Sequence, residues 1–75
     1  MKATYYNAPW GYPTIALARF AGRWWDIRRG TEGYIALPIP DNDPALSYAL
    51  QHNRRLNHLP ANPAWREALR RATGL

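Results

Sequence analysis

The stretch TIALARFAGRWWDIRRGTEGYIALPIP, residues 14–40, decides the fold. Three runs rich in Ile, Leu, Trp and Tyr are separated by Ala21-Gly22 and by Gly30-Thr31-Glu32-Gly33, Gly-bearing connections of hairpin length. They predict a three-stranded antiparallel meander over Thr14 to Phe20, Arg23 to Arg29 and Tyr34 to Ile39. Read with a period of two, Ile15, Leu17, Trp25, Ile27, Ile35 and Leu37 share one face, which should be the core. The opposite face then carries Ala16, Ala18, Phe20, Trp24, Asp26, Arg28, Tyr34 and Ala36. Several aromatics and an Arg on an outer face exceed what solvation requires, so this face is a candidate contact surface. Pro38 and Pro40 end the sheet because neither can donate to a ladder.

Upstream, residues 1–13 hold Tyr5, Tyr6, Trp10 and Tyr12 among Pro9, Gly11 and Pro13, which limits regular structure to a short strand at Ala3 to Tyr6. The loop's aromatics either cap the core or form a contact surface. Downstream, residues 43–75 predict two helices. Asp43-Pro44 is an N-cap followed by proline at the first helical position, and Leu46, Ala49, Leu50 and Leu56 form a stripe running to about Asn57, with Asn53 in it as a packing or turn residue. Asn62-Pro63 repeats the start signal, Trp65, Ala68, Leu69 and Ala72 make the second stripe, and Gly74 supplies the stop. The expected fold is a single α+β domain over residues 1–75, a three- to four-stranded antiparallel meander packed against two C-terminal helices laid on one face.

The chain has 75 residues, 47% hydrophobic and 20% charged, with no Cys. That excludes a large enzyme with a deep cleft, disulfides, thiolate nucleophiles and zinc ribbons. With neither a long apolar run nor a basic segment followed by an apolar one, a soluble cytoplasmic protein with no membrane association is expected. The net charge of +5 includes nine Arg. Residues 1–43 contribute +1 and residues 44–75 contribute +4, through Arg54, Arg55, Arg66, Arg70 and Arg71 against Glu67 alone. An anionic partner accounts for this excess. So do helix dipoles, since Arg54, Arg55, Arg70 and Arg71 fall in expected last turns, and so does GC-rich codon usage.

Catalytic chemistry is poorly supplied. The five acids are scattered, His52 and His58 are six apart, and Ser47 is the only serine. No enzyme, metal, cofactor or small-molecule substrate is expected. The least poor catalytic arrangement is His52 or His58 as a base beside Arg54 or Arg55.

The run Leu17 to Arg29, a third strand from Tyr34 and the Ala-bearing helix from Pro44 resemble the three-strand-plus-helix DNA-binding modules of phage integrase arm-type domains and plant ethylene-response-type transcription factors. The resemblance covers about 40 residues and implies a sheet entering the major groove, with Arg19, Arg23, Trp24 and Arg28 contacting bases and backbone. Ile27-Arg28 stands one residue closer to Trp24 than in those families, and Asp26 places an acid on the reading face. The resulting expectation is a small basic, non-catalytic protein that contacts nucleic acid through its Arg-rich helices or its Trp/Arg sheet face. The alternative is a phage or mobile-element inhibitor of anti-CRISPR type, docking on an acidic surface of a host nucleoprotein complex. Trp, Tyr and Arg suit both kinds of interface, and homodimerisation is left open.

Overall fold

Ala21 and Gly22 both take positive φ, 54° and 75°, the turn whose twist matches that of two antiparallel strands. In the computed structural model, which describes residues 2–52 and 56–75, this turn joins β2 (Thr14–Phe20) to β3 (Arg23–Gly30). Thr31-Glu32 joins β3 to β4 (Gly33–Pro38), with Gly30 opposite Gly33. The chain begins with β1 (Thr4–Tyr6) and continues after the sheet with α1 (Pro44–Gln51), β5 (His58–Leu59) and α2 (Pro63–Thr73). The result is an α+β fold whose antiparallel sheet has five strands in the order β4-β3-β2-β1-β5. The fifth strand lies beyond the expected three or four. Its two residues pair with β1, and Asn7 ties it down: the Asn57 backbone N–H donates to Asn7 Oδ1 at 2.6 Å.

Two-residue turns fix which side chains share a face. Phe20 lies opposite Arg23, so Ala18 meets Trp25 and Ala16 meets Ile27; across β4, Ile27 meets Ala36. This first face, with Tyr5 from β1, is the main core, closed by Trp65, Ala68 and Leu69 of α2. The alanines keep it shallow, and Trp65 fills the space between Tyr5 and Tyr34, its ring centroid 5.4 and 6.2 Å from theirs. The second face carries Leu17, Trp24, Asp26 and Arg28, where Leu17, Ile39 and Leu46 of α1 form a smaller buried cluster.

The expected grouping of faces is therefore corrected. Trp25 and Ile27 are core, and Trp24, Asp26 and Arg28 do share the other face. Ala16, Ala18, Phe20 and Ala36 are buried on the core face, with Tyr34 packed beside them. Ile35 and Leu37 are 45% and 40% exposed, and Ile15 is 38% exposed where the β2–β3 register shifts between Thr14 and Ala16. The helices likewise do not share a face, since α1 contributes to the smaller cluster and α2 to the larger.

Helix ends follow local chemistry. Asp43 Oδ1 accepts from Leu46 N–H and Asn62 Oδ1 from Ala64 N–H, both at 2.9 Å, each before a proline; Gly74 ends α2 at φ 76°. α1 stops at Gln51, short of the expected Asn57, and Leu50 is exposed; Leu56 packs on the smaller cluster from outside the helix. Asn53 lies outside the described residues.

Ala21 is the one non-glycine residue with positive φ among the described residues. A Cβ there costs roughly 1–2 kcal/mol in the left-handed region, and Asn relieves part of it. Ala21→Asn should raise the urea-unfolding free energy by about 0.5–1 kcal/mol. A lowered midpoint would contradict this turn geometry.

Candidate nucleic-acid interface

Pairing of Tyr6 with His58 and Leu17, and of Arg19 with Trp24, places four ring-bearing or cationic side chains on the second face. Their rings run in sequence. Tyr6 and His58 have centroids 4.7 Å apart, Tyr6 and Trp24 5.4 Å, and the Arg19 guanidinium carbon lies 5.6 Å from the Trp24 ring. Tyr6 and Trp24 are half-buried against the Leu17 cluster, while His58 and Arg19 are exposed. The row is thus anchored from beneath and open at both ends. A cation over a ring keeps its charge and gains about 0.5–1 kcal/mol at an exposed position. Arg19 therefore stays able to meet an anion.

Arg28 lies on the same face in a different state. Its Nε donates to Asp26 Oδ2 at 2.9 Å and its Nη2 lies 2.9 Å from the same oxygen, so an acid neutralises it. Asp26 is buried and its Oδ1 has no hydrogen-bond partner. Asp26 thus serves as the internal counter-ion of Arg28 beneath a groove lined by Trp10, Ile39 and Asp43. Trp10 is held there by its indole N–H, which donates to Thr14 Oγ1 at 2.8 Å.

The remaining nominated residues lie elsewhere. Arg23 falls on the core face beside Trp25, 5.6 Å from its ring, and Arg66 covers Phe20 at 4.6 Å. Phe20 is 1% exposed, so it cannot stack on a base. Arg70 and Arg71 flank Glu67 on α2: Arg70 Nε donates to Oε2 at 2.9 Å, and Arg71 Nε stands 3.5 Å from Oε1. Arg54 and Arg55 lie outside the described residues, and with them the idea of a His–Arg catalytic pair. His52 instead stacks on Tyr48 at 4.4 Å, apart from His58 on Tyr6. Of the nominated set, the fold brings together Arg19, Trp24 and Arg28. Tyr6, one of the N-terminal aromatics, joins them by pairing with Leu17, and His58 joins unforeseen, because β5 carries no periodic signal.

Comparison with protein-family models, with curated proteins and with solved structures finds no match to this chain.

The Glu67 carboxyl is held down from 4.5 to about 2, first by its hydrogen bond from Arg70 and then by the charges of Arg70 and Arg71. A depressed folded value makes the stabilisation complete above the unfolded value and lost as the pH falls through the folded one. The difference in urea midpoint between the parent chain and Glu67→Gln should therefore be full at neutral pH, shrink between pH 4.5 and about 2, and weaken in salt. A difference constant across that window would show that the pair contributes nothing.

Proposed function

We propose that this chain is a non-catalytic binding protein for single-stranded nucleic acid, which it holds on the second face of its sheet. The observation that carries the reading is the row His58, Tyr6, Trp24 and Arg19, with neighbouring centres 4.7, 5.4 and 5.6 Å apart. Bases have polarisable faces whatever their identity, so half-exposed rings on a sheet stack on successive bases while a flanking guanidinium meets phosphate. A net charge of +5 raises the local concentration of such a polyanion.

A single strand suits this surface better than a duplex. A sheet that reads the major groove must lie flat in it, as the resemblance to integrase arm-type and ethylene-response-type modules implies. Here α1 packs at the Leu17 side of the same face, Arg23 falls on the other face, and Arg28 is taken by Asp26. A flexible strand can follow the remaining row around α1.

The competing partner is an acidic protein surface, as for an inhibitor of anti-CRISPR type. Ile35 and Leu37, exposed on the edge strand β4, favour it. The experiment is fluorescence anisotropy of labelled single-stranded and duplex oligonucleotides over a salt series. Binding should prefer the single strand and weaken with log salt by roughly 0.7 per phosphate contacted. Trp24→Ala, in a variant that still unfolds cooperatively, should lose about 1–3 kcal/mol of affinity. Absence of binding at low salt would remove nucleic acid as the partner and leave the acidic protein.

A further inference from the structure

A second groove lies on the opposite side of the molecule, where β1 meets the start of α2. It is lined by Lys2, Ala3, Tyr5, Asn62, Pro63 and Arg66, with two cations and no acid among them. Tyr5 is 4% exposed, yet its hydroxyl has no hydrogen-bond partner. A buried hydroxyl without a partner costs roughly 1–3 kcal/mol, so such groups call for an explanation. The ring stacked on Tyr5, that of Trp65, carries a second buried donor, Nε1, that also lacks an acceptor.

The charged residues of this groove and the helix that starts beside it favour negative charge. Lys2 and Arg66 are cationic. α2 runs for 11 residues from Pro63 and directs the positive end of its dipole here. Asn62 Oδ1 occupies the Ala64 N–H, so the helix contributes its field and not that donor. Arg66 acts directly on Tyr5: burial raises the phenol's pKa, and the Arg66 charge opposes that rise. The phenol thus remains a neutral O–H donor beside a guanidinium.

We infer that the Tyr5–Lys2–Arg66 groove at the start of α2 is a binding site for a phosphate group, with the Tyr5 hydroxyl donating to a phosphate oxygen and Lys2 and Arg66 balancing its charge. The site is independent of the sheet row, which lies on the other face. The phosphate comes from a free phosphoester or from the phosphorylated end of an oligonucleotide.

The test is a thermal-unfolding titration with inorganic phosphate at constant ionic strength, balanced by chloride, on the parent chain, Tyr5→Phe and Lys2→Gln. The parent midpoint should rise with phosphate and saturate. Tyr5→Phe keeps the ring and removes only the unpartnered hydroxyl, so it should fold at least as stably and bind phosphate roughly 10- to 100-fold more weakly. Lys2→Gln, at an exposed position, should also weaken binding. No saturable rise in the parent, or equal affinity in Tyr5→Phe, would overturn the assignment. Competition against inorganic phosphate identifies the source: displacement by a 5′-phosphorylated oligonucleotide but not its 5′-hydroxyl form assigns a nucleic-acid end, and displacement by a small phosphomonoester alone assigns a free phosphoester.

Discussion

Two tight turns, Ala21-Gly22 and Thr31-Glu32, decide which side chains stand together, and the rest of the molecule depends on them. With two residues in each loop, Phe20 must face Arg23 and Gly30 must face Gly33, and the other pairs of β2, β3 and β4 follow as far as the register shift between Thr14 and Ala16. A one-residue slip would exchange the faces. It would bring Trp24 under α2, push Trp25 into solvent and separate Arg19 from its ring. The left-handed conformation of Ala21 is maintained despite its steric cost because the flanking strands over-determine it.

That parity also changes the meaning of the net positive charge. Counted along the chain, the excess belongs to residues 44–75; in space, the described arginines fall into two groups. Arg70 and Arg71 are answered by Glu67, and Arg28 by Asp26. Arg19, Arg23, Arg29 and Arg66 lie over aromatic rings, between 4.6 and 5.6 Å from the centroids. A salt bridge spends a cation's charge locally, whereas a ring orients it and leaves it available. Among the described residues, Arg19, Arg23 and Arg29 keep their charge beside aromatics of the sheet, and the sheet becomes the better place to look for a partner.

Features encoded within a few residues were legible in the sequence. The caps Asp43-Pro44 and Asn62-Pro63, the stop at Gly74 and both hairpins are local, and they stand where their residue types place them. On β2 and β4 the large aliphatics point to the wrong face. Against α2 the sheet needs small residues, and Ala16, Ala18 and Ala36 serve there while Ile35 and Leu37 face outward. Parity counted from the Ala21-Gly22 turn gives the correct faces of β2 and β3, whereas hydrophobicity alone does not. β5 was not legible: two residues have no period, and their partner lies some fifty positions earlier. His58 reaches Tyr6 through that strand, so this end of the ring row was hidden with it.

Adjacent tryptophans on opposite faces offer the most direct measurement. In an NMR titration with an unphosphorylated oligonucleotide of about 12 nucleotides, within the length one small domain occupies, the Trp24 indole N–H should shift together with the amides of Tyr6, Arg19 and His58. The Trp25 indole, whose N–H donates to the Phe20 carbonyl at 2.9 Å inside the core, should not move. Shifts at Trp25 with Trp24 unmoved, or shifts confined to α2, would contradict both the parity of the sheet and the surface assigned to it.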